Sequence, residues 1–386
     1  MPITAIDSSA VCAVLAWRIP RLGLRRDDPL CPIPYLLDGC PDIMTGMGST
    51  DQDSDFLREM LSAWPIAVSG TPRQTNAGTN NRSHIVDSPA GPYVLRIYQN
   101  TNDLERITYE HALLDRLQHA GLPFATPLPL ATDSGDTFVV AANGRVPVVA
   151  ALFPRIPGQA PQRGGVAEAK ACGQALGELD AALAQIAVEK TFPGPPWFGQ
   201  PGPDDELARN PIEAAGQFPL VPEKRQALRG ILSNLVELAP SLYAGLPHQI
   251  IHADFYPSNV LMRGNQVSGI LDFEFASPGP RAMDVAIGLA AFGISTWRAI
   301  KDLRIVEAFV TGYQRRIPPT SVEIEALPDL LRLREATSLV HWIGRHDQGL
   351  ATEHDILWRV DRLLDLDQWM IENGDNLVGC VAQATR

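Results

Sequence analysis

The chain has 386 residues and a formal net charge of −12, from 32 Lys and Arg against 44 Asp and Glu. That balance lacks the basic surface that nucleic acid and anionic membranes require, so neither is expected as a partner. At 45% apolar and 20% charged it has the composition of a folded globular protein, long enough for two or three domains. Five cysteines, at 12, 31, 40, 172 and 380, form no C-x-x-C pair and no metal-ligand spacing. A reducing compartment is expected, with Cys172 as a small core residue. The uncharged run Val285 to Trp297 is well short of the roughly 20 residues a membrane-spanning helix needs. The apolar stretch Ser9 to Trp17 has Asp7 before it and arginines after it, the reverse of a signal peptide, so a cytoplasmic protein is expected.

In chain order, residues 1–50 lack sustained periodicity and carry several prolines, among them those at 2, 20, 29, 32 and 34, which predicts a disordered extension. The stretch M-G-S-T-D-Q-D-S from Met47 has the form of a natural protein start. Ser54 to Trp64 predicts a short amphipathic helix. Gly78-Thr79-Asn80-Asn81-Arg82 then leads a strand at Ser83 to Val86, a turn at Pro89 to Pro92, and a clear strand at Tyr93 to Tyr98. A Gly/Asn-rich loop before a hairpin suits backbone N–H groups that face a phosphate, although an ordinary hairpin explains the same residues. Asp103 to Ala120 predicts a helix with Leu104, Ile107, Leu114 and Leu117 on one face and Gly121 as its stop. Strands follow at Thr137 to Ala141 and Val146 to Phe153. The cluster Pro154, Pro157 and Gly158 marks a boundary, after which the texture is helical. Helices are expected at Gly165 to Val188, Arg225 to Leu242, 283–300, 302–316, 322–346 and 352–373. Phe192 to Pro219 is a long irregular stretch of the kind that serves as a functional loop.

The chemistry concentrates in residues 248–288. His252, Asp254 and Asn259 stand in an H-x-D-x-x-x-x-N spacing. Val260-Leu261-Met262, a Gly264-Asn265 turn and Val267 to Leu271 then read as a hairpin that ends at Asp272-Phe273-Glu274. A hairpin brings its outer ends together, so Asp254, Asn259 and Asp272 share one small volume. Two carboxylates and a carboxamide there make a hard-oxygen site suited to Mg²⁺. Phosphoryl transfer uses such a set: an Asp that accepts the proton of the attacking hydroxyl, an Asn five positions on, and a second metal-binding Asp. On that reading Asp254 is the catalytic base, Asn259 and Asp272 hold the metal, and Glu274 assists directly or through water. His252, grouped with the catalytic residues, is better suited to bracing the loop. The spacing alone is a weak signal; the hairpin and the L-D-F-E that follows make it specific.

I-H-A-D-F-Y-P-S-N-V-L and I-L-D-F-E-F-A resemble the catalytic loop and metal-binding segment of the aminoglycoside phosphotransferase and choline kinase superfamily, which includes type II homoserine kinases. The resemblance spans about residues 65–370 and is strongest at 251–289. It implies an α+β, two-lobed, protein-kinase-like fold, with an antiparallel sheet and helix in the N-lobe and a mostly helical C-lobe. The implied division is an N-terminal extension (1–50), a nucleotide-binding N-lobe (51–157) and a C-lobe with catalytic loop and acceptor site (158–386). Thr79, Asn80 and Asn81 would cover the nucleotide. Arg96 falls where the family presents a phosphate-binding cation, commonly Lys, and Glu110 would be its partner. Backbone groups near Phe153 to Arg155 would meet the adenine edge, and Asp284 would brace the catalytic loop. Leu179-Asp180 stands where the family often has Leu-His.

The resemblance further implies ATP and Mg²⁺, a small-molecule hydroxyl acceptor, and a monomer or homodimer. Candidate acceptors are an aminoglycoside-like sugar, an amino alcohol such as choline, or homoserine. The G-T-N-N-R and Y-V-L-R patterns lean toward the homoserine-kinase-like branch. His341, Trp342 and Arg345 are candidates for the acceptor side, although core and surface roles explain them as readily. Arg is not equivalent to Lys at position 96, which leaves open a catalytically weak nucleotide-binding regulator. A serine/threonine protein kinase is disfavoured, because no long activation segment with an A-P-E-like end follows Asp272.

Overall fold

Val146–Pro154 (β5) is the strand on which the N-terminal half is built. The computed structural model describes residues 51–75, 81–99, 103–143, 146–162, 164–187, 211–295 and 300–386; the extension expected at 1–50, together with Thr79 and Asn80, lies outside them. β5 pairs antiparallel with Tyr93–Ile97 (β3) on one side and Val139–Asn143 (β4) on the other. Arg82–Asp87 (β2) and Ser69–Gln74 (β1) complete a five-stranded sheet in the order β1-β2-β3-β5-β4. Side chains along β5 alternate between two cores, as the period of a strand requires. Ala150 and Leu152 pack with Leu57 and Leu61 of the first helix, Asp51–Leu61 (α1), and with Trp64 just after it. Val149, Ala151 and Phe153 join Ile107 and Leu114 of Leu104–Gln118 (α2). α2 starts where the Asp103 side chain accepts the N–H groups of Glu105 and Arg106. β1 is not among the expected strands: it has a proline and a single buried position, so its sequence carries no apolar alternation.

Beyond Pro154 the chain is mainly helical: Val166–Leu183 (α3), Pro211–Gly216 (α4), Pro222–Ala244 (α5), Arg281–Phe292 (α6), Leu303–Tyr313 (α7), Ser321–Asp347 (α8) and Glu353–Ala384 (α9). α8 and α9 each begin with a capping box, Thr320 with Glu323 and Thr352 with Asp355. α9 passes through Asn373-Gly374, where a stop was expected, because Leu377, Val381 and Ala384 keep its buried face continuous. α6 ends earlier than expected, at Gly293, whose N–H bonds the Leu289 carbonyl. α3 and α7 touch through glycines: a Cβ at Gly173 would collide with the Phe309 carbonyl, and one at Gly312 with the Lys170 carbonyl.

Two short ladders carry the site. His248–Ile251 (β6) pairs with Ser277–Pro280 (β9), and Val260–Arg263 (β7) with Gln266–Ile270 (β8), across a turn where Gly264 has φ +60°. The connector after α2 is tied to this hairpin: the Ala125 N–H donates to the Ser268 carbonyl and Ile270 N–H to the Ala125 carbonyl, each at 3.0 Å. Among the described residues, no helix is long and apolar enough to cross a membrane.

Candidate active site

The loop after β6 takes an unfavourable backbone path. Ala253 (φ 66°) and Asp272 (φ 64°) are the non-glycine residues with positive φ among those described, and such strain persists only where the surroundings hold it. Asp284, at the start of α6 and fully buried, supplies that hold. Its carboxylate accepts the His252 N–H at 2.6 Å and the Ala253 N–H at 2.7 Å. The His252 ring continues the brace. Its Nδ1 accepts the Asp254 N–H at 3.2 Å, so Nε2 carries the proton and donates to the Leu271 carbonyl at 3.0 Å. Burial drives the His252 pKa down to about 4, which keeps the ring neutral for this role. With no exposed surface, His252 is a positioning residue that acts through Asp254 and Leu271.

Asn259 closes the hairpin end. Its amide donates to the Asp254 backbone carbonyl at 2.9 Å and to Asp254 Oδ2 at 2.7 Å, while its own carbonyl oxygen on the backbone accepts the Leu271 N–H at 2.8 Å. With the amide hydrogens directed at Asp254, the side-chain oxygen of Asn259 is left as an acceptor. The Asp254 pKa is pushed up to about 8 by burial first and then by the charges of Asp272 and Glu274, against the opposing effects of Arg334 and Asn259.

Across from this loop lies Arg96 of β3. Its guanidinium donates to Glu110 of α2 at 3.1 Å and to Asp272 Oδ1 at 2.7 Å, and lies 3.3 Å from Glu274. Asn81 donates to the Glu274 carboxylate at 2.9 Å, and the Arg106 guanidinium donates to the Glu274 backbone carbonyl at 3.1 Å. Burial, with Glu274 and Asp272 adding to it and Arg96 opposing, pushes the Glu110 carboxyl up to about 7. Three carboxylates thus surround one guanidinium, a surplus of negative charge that a divalent cation would balance. Among the described residues no three acidic, histidine or cysteine side chains close around a point as a self-contained metal site. The oxygens of Asn259, Asp272 and Glu274 fit instead a hard cation that completes its shell with water and phosphate, as Mg²⁺ does.

Phe153 is the penultimate residue of β5, and Arg155 follows its end. Phe153 is buried with its ring edge-on to His111 at 5.9 Å, and the side chain of Arg155 is exposed. Of the backbone groups near Phe153 to Arg155 expected at the adenine edge, the Arg155 N–H donates to the Pro92 carbonyl at 3.0 Å and extends the sheet.

Three participants carry no signal in the motif. Arg106 shares a helix face with Glu110 at an i, i+4 spacing that, read beside Glu110, would have pointed to it. Arg334 of α8 has its guanidinium over the Tyr256 ring at 4.8 Å, two residues beyond Asp254. Asp180 of α3 is fully buried, accepts the Tyr313 hydroxyl at 2.7 Å, and faces the carboxylate of Asp284. Burial and the Asp284 charge drive the Asp180 pKa upward, which favours a proton shared between Asp180 and Asp284. Asp180→Asn keeps a donor at this point and is expected to retain kcat within about threefold. Asp180→Leu removes it, leaves a buried charge on Asp284 with one partner fewer, and is expected to lower stability by about 3 kcal/mol or more. Urea unfolding of the two variants separates these outcomes; equal losses in both would remove the proton-sharing account.

The family model for the phosphotransferase enzyme family matches residues 71–334, more than half of the chain. The chain belongs to the phosphotransferase enzyme family. Its match includes the catalytic loop, the hairpin and the Arg96 strand. The homoserine kinase of Rhodopseudomonas palustris is 28% identical over 327 residues, which cover 81% of this chain and 92% of that protein. Two solved structures share the fold at lower identity. A microcompartment-associated aminopropanol kinase superposes with a TM-score of 0.65 at 16% identity, over 83% of this chain and 98% of its own. An amicoumacin kinase solved in complex with AMP-PNP, Ca²⁺ and Ami gives 0.64 at 14%, over 81% and 93%. The fold is the two-lobed kinase-like one, and the protein is a small-molecule phosphotransferase. Transfer to a hydroxyl group is the reaction of its relatives and of this enzyme class.

Proposed function

We propose that this phosphotransferase moves the γ-phosphate of ATP to the hydroxyl of a small homoserine-type acceptor. The observation that carries the reading is the fixing of the Asp254 carboxylate by Asn259, within one hairpin end of Asp272 and below the Arg96–Glu110 pair. Asp254 orients the acceptor hydroxyl and takes its proton as the oxygen attacks phosphorus; its raised pKa suits a group that must accept a proton near neutral pH. Asn259, Asp272 and Glu274 hold Mg²⁺, which when bound neutralises charge on the phosphates. Arg96, oriented by Glu110, contacts phosphate oxygens, and its planar fork can do so through two N–H groups at once. Thr79, Asn80 and Asn81 cover the nucleotide. In this division residues 51–157 bind ATP, and 158–386 supply the catalytic loop and acceptor side.

The homoserine-kinase relatives favour an amino-acid acceptor over an aminoglycoside or an amino alcohol. Mg²⁺-dependent ADP release, measured across homoserine, amino alcohols, sugars and aminoglycosides, tests the reading. Turnover with one acceptor class supports it. Absence of turnover with all of them, while ATP still raises Tm, would point to a nucleotide-binding regulator and overturn it.

A further inference from the structure

We infer that Asn81 and Arg106 are positioning residues for the metal: two N-lobe side chains that fix Glu274, and through it Asp272, in place for a divalent cation. The inference rests on the kinase reading above and concerns how its metal-binding segment is held.

The segment from Leu271 to Glu274 is fixed at both ends. At Leu271 the catalytic loop holds it: the Leu271 N–H donates to the Asn259 carbonyl at 2.8 Å, and the Leu271 carbonyl accepts the His252 ring N–H at 3.0 Å. Phe273 is buried with its ring edge-on to the same imidazole at 4.6 Å. Asp272 stands in this segment at φ 64°, a strained backbone that persists only where its flanks are held. The far flank is Glu274, which N-lobe side chains grip at both its carboxylate and its backbone.

Asn81, just before β2, takes the carboxylate. Its Oδ1 accepts the Gln99 N–H, just past β3, at 3.1 Å. A backbone N–H can only donate, so the other end of the amide is the Nδ2 group, which donates to Glu274 Oε2 at 2.9 Å. Nucleotide cover at Asn81 is then a task for its backbone N–H, as expected of a Gly/Asn-rich loop. Arg106 of α2 takes the backbone. Its Nη2 donates to the Glu274 carbonyl at 3.1 Å, and its Nε donates to the same oxygen at 3.4 Å.

The sign of the Arg106 charge is informative. A guanidinium beside a segment that binds a cation repels that cation, so electrostatics alone would make Arg106 a hindrance to metal binding. Its geometry gives it the opposite effect. Side chains that orient a metal's ligands typically control affinity by about 10–100-fold, which outweighs the repulsion from one half-exposed charge screened by water.

These opposed signs set the test. Mn²⁺ binding to the full chain with AMP-PNP is read from the loss of the free-ion EPR signal, against the same nucleotide without protein. Arg106→Leu removes the charge and both donors, and is expected to weaken Mn²⁺ binding by about tenfold. Arg106→Lys keeps the charge and one donor, and should recover part of that loss. Asn81→Ala changes no charge and is expected to weaken Mn²⁺ binding by about tenfold as well. In each variant the Mg²⁺ concentration at half-maximal rate should rise in step, with kcat at saturating Mg²⁺ within about threefold of wild type. Unchanged or tighter Mn²⁺ binding in Arg106→Leu or in Asn81→Ala overturns the inference. So does a lower Tm with Mn²⁺ affinity intact, the mark of a purely structural tie. Either result leaves the kinase reading standing. A wild-type chain that takes up no Mn²⁺ with AMP-PNP removes the metal assignment of that reading, and this inference with it.

Discussion

Asp254→Asn is expected to lower kcat by about 10³-fold with homoserine-type acceptors, while ATP still raises the Tm of the variant. The substitution preserves the shape of the side chain. Asn259, which now donates to Asp254 Oδ2 at 2.7 Å, retains an oxygen to bond. What disappears is the lone pair that takes the hydroxyl proton. Geometry and chemistry are thereby separated: His252, Ala253 and Asp284 hold the backbone of the loop through N–H bonds that the substitution does not touch. A loss confined to KM would show that Asp254 binds acceptor without moving its proton, and activity near the wild-type level would remove it from the chemistry altogether. Stability in the absence of ligand is expected to hold or rise, because a buried carboxylate beside Asp272 and Glu274 is replaced by a neutral amide.

Asp272→Asn is expected to cost about 10³-fold in kcat and to raise the Mg²⁺ concentration at half-maximal rate. Asp272 stands at φ 64°, a conformation that Asn tolerates, so the backbone is expected to survive the exchange. Its carboxylate has two tasks, one toward the metal and one toward Arg96 Nη2 at 2.7 Å. Arg96 keeps Glu110 and Glu274 as partners in the variant, so the N-lobe side of the network persists. The charge lost is therefore that offered to the cation. Initial rates across a Mg²⁺ titration, paired with the ATP-induced Tm shift over the same range, read the two effects separately. An unchanged Mg²⁺ dependence with kcat within tenfold of wild type would falsify the metal assignment.

Both predictions concern residues visible in the sequence, and the reason is locality. Asp254, Asn259 and Asp272 fall within one turn of chain whose β-prone runs and Gly264-Asn265 turn dictate a hairpin. Short-range rules of strand period and turn chemistry then suffice to bring them together. The same locality made α2 legible, since its cap at Asp103 and its apolar stripe lie within the helix itself. β1 failed that test, because an edge strand with one buried residue has almost no alternation to read.

Arg334 was invisible, and Asp180 stood out only as a departure from the family's Leu-His with no partner to read, for the opposite reason. Asp180 meets Asp284 because α3 lies against its neighbours, and α3 meets α7 closely because glycines allow the backbones to touch. No periodicity in either segment states which helix it will face. Arg334 reads as one more charge on a long helix until α8 is set against the catalytic loop and Tyr256 comes to lie under its guanidinium. The Arg96–Asp272 ion pair spans 176 positions and likewise depends on how the sheet is set against the hairpin. By itself the sequence determined the hairpin, through local strand and turn preferences, and with it the proton-accepting and metal-binding candidates; the kinase-like class came from the resemblance of the motifs that this hairpin carries. Tertiary packing alone decided which charges surround those groups, since burial and long-range electrostatics act only between surfaces that folding has brought into contact.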